Sequence, residues 1–121
     1  MPNAADLMVQ RIENTEADLI RFGSNVFDGL PVVRKIQEQL SAMIESGNTI
    51  LILDLSDIVS VSSEMLGVMV EVNKAATEKG GGVHLLNPTP NVLKALEISK
   101  LNKILAIHDS LEAAIEKISP S

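Results

Sequence analysis

Residues 49–55 read Thr-Ile-Leu-Ile-Leu-Asp-Leu, and no other stretch constrains the chain as tightly. A continuous run of β-branched and leucine residues this short, bounded by turn-formers, reads as a strand buried on both faces. Such strands belong to largely parallel sheets, which need helices between successive strands.

The flanking segments supply them. Residues 7–13 and 17–22 read as two short strands joined by a turn at Asn14, Thr15 and Glu16. A loop at 23–30 comes next. From 31 to 45 the apolar residues Val32, Val33, Ile36, Leu40, Met43 and Ile44 recur at helical spacing, with Pro31 in the first turn and Gly47 past the end. A second helix is predicted over 62–79, with Met65, Leu66, Met69, Val70 and Val72 inside; Gly80, Gly81 and Gly82 stop it. Then come a strand at 83–86, a turn at Asn87-Pro88-Thr89-Pro90, a short helix at 91–98, a strand at 103–107 and a last helix at 110–118 with Asp109 as its N-cap. The order is ββαβαβαβα. It predicts one α/β domain with its core over about 7–118, built on a mixed, mostly parallel sheet of four to five strands with about four helices.

Composition narrows the function. The net charge of −6 argues against a nucleic-acid binder, which needs a basic face. Tyr and Trp are absent, so there is no aromatic platform for bases or sugars. Without cysteine there is no disulfide, thiolate metal site or cysteine nucleophile, and a reducing, cytoplasmic setting is the expectation. The first ten residues carry no signal-peptide pattern. No apolar run reaches the roughly 20 residues of a membrane span. His84 and His108 lack ligand spacing; His84 reads as a sheet residue and His108 as part of the turn before the last helix. The three glycines come after a helix, the wrong order for a phosphate cradle. Asp54 and Asp57 read as residues that end a strand and cap a turn. No catalytic set, cofactor site or metal site can be assembled, so an enzyme is not expected.

Three stretches carry a family resemblance. LILDLSDI, SVSSEMLGVMV and KGGGVHLLNPTPNVLKALEISKLNKIL resemble, in that order, the buried strand, the switch loop with its helix start, and the later half of the STAS domain as found in anti-sigma factor antagonists. The resemblance places the phosphorylatable serine on Ser63 and the Leu-Gly pair on Leu66 and Gly67. Ser62 stands where the family carries an acid, and Glu64 and Met65 stand where a small residue and glycine usually come. The implied role is binding an anti-sigma factor that is also a serine kinase, with phosphorylation of Ser63 ending the complex and so regulating transcription through a sigma factor; a phosphatase is a further implied partner. Implied partner-binding residues are Asp57, Ser60, Ser62, Ser63, Glu64, Met65 and Gly67, with Ser62 as the second candidate for the phosphate. The departures motivate an alternative: a STAS accessory subunit, without a phospho-switch, of a signalling complex or a lipid-transport ABC system.

The residues support a switch on their own. Ser62 suits the N-cap of the second helix, and Val61 with Leu66 suits a hydrophobic staple. Ser63 is then the first helical residue, where unpaired N–H groups and the helix dipole tolerate a phosphate.

Overall fold

The computed structural model describes residues 7–22, 26–27 and 30–118; residues 1–6 of the N-terminal segment, most of the 23–30 loop and residues 119–121 lie outside the described residues. The elements are β1 (Leu7–Arg11), β2 (Ala17–Phe22), β3 (Val26–Phe27), α1 (Leu30–Glu45), β4 (Ile50–Asp54), β5 (Ser60–Val61), α2 (Ser63–Glu78), β6 (Gly82–Leu86), α3 (Pro90–Ile98), β7 (Ala106–His108) and α4 (Leu111–Ile118). Five strands form one sheet in the order β1-β2-β4-β6-β7. The first pair is antiparallel, and the other three pairs are parallel.

The apolar run at 50–54 is the central strand, and its pleat decides what lies on each face. Leu51 and Leu53 join one core with Ile36 and Leu40 of α1, Met65, Met69 and Val72 of α2, and Val92 and Leu96 of α3. Ile52 points the other way, to a second core with Leu19 and Ala114 of α4. Both α1 and α2 end in the same left-handed motif. Gly47 (φ 97°) and Gly80 (φ 88°) supply the positive φ, and the next residue's N–H reaches back into the last turn, Asn48 to Met43 and Gly81 to Ala76.

Some expectations are corrected. The strand predicted at 103–107 lies at Ala106–His108; residues Leu101–Lys103 make a 3₁₀ turn after Lys100, which takes a left-handed φ of 63°. A short apolar run has no period of its own, and here local turn bonds, such as the Leu105 N–H to the Leu101 carbonyl at 2.8 Å, hold its first half. His108 therefore closes a strand. The last helix is capped by Ser110, whose Oγ accepts from the Ala113 N–H at 3.2 Å, and not by Asp109. In α2, Val68 and Ala76 are buried, while Leu66 and Val70 are only partly covered. Part of the stretch read as a plain loop pairs as β3 with β5.

On the α4 side, His84 of β6 and His108 of β7 share a hydrogen bond, Nδ1 to Nε2, of 3.0 Å, with their rings stacked 5.2 Å apart. Burial lowers the pKa of both below the ordinary 6.5; the charge of Lys117 lowers both further, His108 also lowers His84, and Asp109 partly opposes the effect on His108. Below about pH 6.5 the unfolded chain therefore binds more protons at these histidines than the folded one, and stability falls as pH falls. Thermal midpoints between pH 7.5 and 5.5, taken at about half-unit steps, are expected to drop. Replacing both histidines with Gln should flatten that slope; an unchanged slope would show that other groups set it.

Candidate functional site

The serine pair sits where a tightly held loop enters α2. The loop begins with an Asx turn: Asp54 Oδ1 accepts from the Ser56 N–H at 3.0 Å and from the Ser56 hydroxyl at 2.6 Å, while Oδ2 accepts from Arg21 Nε at 3.3 Å. Asp54 thus ends its strand and caps a turn. Leu55 and Ile58 are buried and pin the loop to the core, whereas Asp57 and Val59 are exposed. Half-buried Ser60 and Val61 then pair in parallel with Val26 and Phe27.

Two side chains at the start of α3, from its N-cap and its first turn, complete the hold. The Thr89 hydroxyl donates to the Ile58 carbonyl at 2.8 Å, and Asn91 Nδ2 donates to the Val59 carbonyl at 3.1 Å. Thr89 is the N-cap residue of α3, yet its side chain makes no capping bond; its hydroxyl is committed across the molecule. These two residues were not legible as site residues, because Asn-Pro-Thr-Pro-Asn has the composition of an ordinary turn. Thr89→Val keeps the shape and leaves the Ile58 carbonyl unpaired. A loss of about 1–2 kcal/mol is expected, seen as roughly 5- to 30-fold faster hydrogen exchange at amides near 58–62. Unchanged exchange there would show that the tether does not restrain the loop.

Ser62 is the N-cap of α2. Its backbone is extended (φ −83°, ψ 163°), and its Oγ accepts from the Met65 N–H at 3.2 Å. Val61 and Leu66 both pack at the edge of the main core. With capping done by Ser62, the Ser63 hydroxyl is exposed at the first helical position. Among the described residues, the N–H groups of Ser63 and Glu64 have no acceptor, the ordinary condition of a helix start. The helix dipole makes this end locally positive, and Glu64 already exploits it.

Met65 is the correction at this site. It is fully buried in the main core, so it offers no side chain to a partner. Two residues on from an outward Ser63, a helix turns by roughly 200°, which carries Met65 to the inner face. Gly67 is exposed, one turn beyond Ser63, and a Cβ placed on it would meet nothing within 4 Å. Glycine costs a helix interior about 1 kcal/mol relative to alanine, and no close packing here requires it. The structure thus gathers Ser62, Ser63, Glu64 and Gly67 at one helix start, with Asp57 and Ser60 on the loop that leads into it.

The comparisons with known proteins bear on what this arrangement serves. A protein of Thermotoga neapolitana named as a candidate anti-sigma factor antagonist is 33% identical over 75 residues, 62% of this chain and 66% of that protein's length. The solved structure of a candidate anti-sigma factor antagonist from Thermotoga maritima matches with a TM-score of 0.80 at 22% identity, over 93% of each chain. The anti-sigma factor antagonist SpoIIAA in its unphosphorylated form matches with a TM-score of 0.77 at 23% identity, over 93% of this chain and 96% of that one. SpoIIAA of Bacillus in its phosphorylated form matches with a TM-score of 0.66 at 22% identity, over 94% and 100%. At these identities the solved structures establish the shared fold. The model of the STAS domain covers residues 11–114, nearly the whole of the sheet and helices, and the chain belongs to the STAS domain family.

Proposed function

We propose that this chain is an anti-sigma factor antagonist whose binding to an anti-sigma factor kinase is switched off by phosphorylation at Ser63. The observation that carries the reading is the division of labour between the two serines: Ser62 spends its hydroxyl on the cap, and Ser63 is exposed with no hydrogen-bond partner for its hydroxyl among the described residues. A phosphate there adds about −1.5 to −2 charge where the helix start tolerates it. A partner covering Ser63 would have to bury that dianion, at about 2–5 kcal/mol or more, which weakens binding on the order of 30- to 4000-fold. One modification then releases the partner while the fold stays intact. Support also comes from relatives named as candidate anti-sigma factor antagonists, and from SpoIIAA having been solved in both phosphorylation states. The protein acts in this reading as a regulatory binding partner in the cytoplasm, not as an enzyme.

The test begins with a pull-down from the native organism to recover the anti-sigma factor. Incubation with that kinase and ATP is followed by mass spectrometry of the peptide spanning 60–74. Phosphate on Ser63 is the expected result. No phosphate, together with full binding by Ser63→Asp, would remove the switch. Ser62, Glu64 and Met65, which depart from the family pattern, favour one alternative: a STAS accessory subunit without a phospho-switch. Co-purification with a transporter ATPase instead of a kinase would select it.

A further inference from the structure

At the C-terminal end of α3 the chain turns back through Lys100 and the 3₁₀ turn at Leu101–Lys103. Two large apolar side chains stand out on this corner. Ile98, the last residue of α3, is 73% exposed, and Ile104, just past the turn, is 57% exposed. Single exposed apolar residues are ordinary. A pair accompanied by one sign of charge calls for a reason. Lys94 lies one helical turn before Ile98 on the same side of α3, and Lys100 and Lys103 lie between the two isoleucines in the chain. Over residues 94–104 these three lysines stand against Glu97 alone, a local balance of +2 in a chain of −6. All three are exposed, and none forms an ion pair or a side-chain hydrogen bond among the described residues. Lys100 is placed at some cost: its φ of 63° is left-handed, a conformation that glycine takes without a steric penalty. A charged, unpaired side chain is kept where the backbone favours none.

We propose that this corner docks on an anionic lipid surface, with Ile98 and Ile104 entering the headgroup region and Lys94, Lys100 and Lys103 facing the lipid phosphates. Charge complementarity selects the class of ligand, since positive charge beside exposed apolar surface is the make-up of an interfacial membrane contact. The exposure of the isoleucines favours a lipid surface over an acidic protein. Side chains that stand this far out need a matching pocket in a protein, whereas a fluid bilayer needs none. The lysines, unpaired on long stems, likewise suit mobile headgroups better than fixed carboxylates. Carboxylates more than about 8–10 Å from the corner are largely screened at physiological salt, so the overall charge of the chain does not decide the contact. The contact is peripheral: among the described residues no helix is long and apolar enough to cross a membrane. Thr89 and Asn91, which hold the loop before Ser63, lie at the other end of the nine-residue α3, roughly 13 Å away along the helix. Docking therefore leaves that loop outside the contact and does not depend on the functional reading above.

The test sediments the full chain with vesicles of phosphatidylcholine alone, or with about one-third phosphatidylglycerol, at low and at high salt. Binding to the anionic vesicles only, lost at high salt, is expected. Lys94→Gln, Lys100→Gln and Lys103→Gln combined should weaken it about 100-fold, near fivefold for each charge. Ile98→Ser combined with Ile104→Ser should weaken it about tenfold or more. All these side chains are exposed, so each variant should keep the fold. Lys100→Gly separates binding from stability: glycine relieves the left-handed position, so this variant should melt no lower than wild type while binding about fivefold more weakly. If anionic vesicles capture no protein, lipid docking is overturned. It is equally overturned if binding survives both the Gln and the Ser variants, which would place the contact elsewhere. A soluble protein recovered by wild type and lost by the Gln variant, in place of vesicle binding, would assign the corner to an acidic partner instead.

Discussion

Ser63→Asp is expected to weaken binding to the anti-sigma factor by about 30-fold, near the lower end of the range for an unpaired charge buried at an interface. Asp carries one charge where a phosphate carries nearly two, so the modified protein itself should lie further into that range. The melting temperature of Ser63→Asp should stay close to that of wild type or rise slightly. An acid at the first helical position is favoured by the dipole, by about 0.3–1 kcal/mol. Separation of binding from stability is the signature of a surface switch.

Two further variants sharpen the result. Ser63→Ala should bind normally and accept no phosphate. Ser62→Ala should do the reverse of Ser63→Asp: it loses the bond from the Met65 N–H, costs about 1 kcal/mol of stability, and leaves binding nearly unchanged. If Ser62→Ala abolishes binding and Ser63→Asp does not, the roles of the two serines have been exchanged here. Calorimetric titration and thermal melts on wild type and these three variants decide it.

The second large effect lies far from the serines, at Gly81. The neighbouring Gly80 takes the left-handed conformation that ends α2, but Gly81 does not. Its constraint is space. A Cβ on Gly81 would overlap the Thr49 carbonyl and come within 2.7 Å of the Thr49 Cβ. That same carbonyl accepts from the Gly82 N–H at 2.9 Å, at the start of the β4–β6 pairing. The obstacle is backbone, which has no rotamer to yield. Relieving it means pulling β6 from its partner at the first ladder position. Gly81→Ala is expected to cost about 2–4 kcal/mol and to lower the melting temperature by about 10 °C or more. Chemical denaturation with an unchanged slope would attribute the loss to the native state. An alanine variant as stable as wild type would show that the close approach is not maintained in solution.

Gly81 also separates what a glycine run encodes locally from what it encodes through contact. Three glycines after a helix predict a stop, and they do stop it. That Gly80 works through φ, and Gly81 through contact with a residue 32 positions earlier, is invisible in the string Gly-Gly-Gly. Met65 marks a different limit. A motif comparison ranks it among the partner-facing residues because it stands close to Ser63 in the chain. Helical geometry turns it inward, in agreement with the helical period that already counts Met65 among the inner residues of the second helix.

The chain by itself determined those features that depend on residues close together along it. The buried strand at 50–54, the four helices, the glycine ends of α1 and α2, and the cap at Ser62 beside an outward Ser63 all depend on residues at most a few turns apart, so they leave a period or a spacing to be read. What only the packed molecule decided rests on residues that are distant along it. Thr89 and Asn91 reach the loop across 31 and 32 positions, His84 meets His108 across 24, and Gln37 meets Glu71 across 34. The two-residue strands Val26–Phe27 and Ser60–Val61 are too short to carry a period and exist only as partners of each other. A single polar side chain carries no mark of which distant carbonyl it will find. That is set when the sheet twists and the helices close on it, and the platform under Ser63 is the product of that closure.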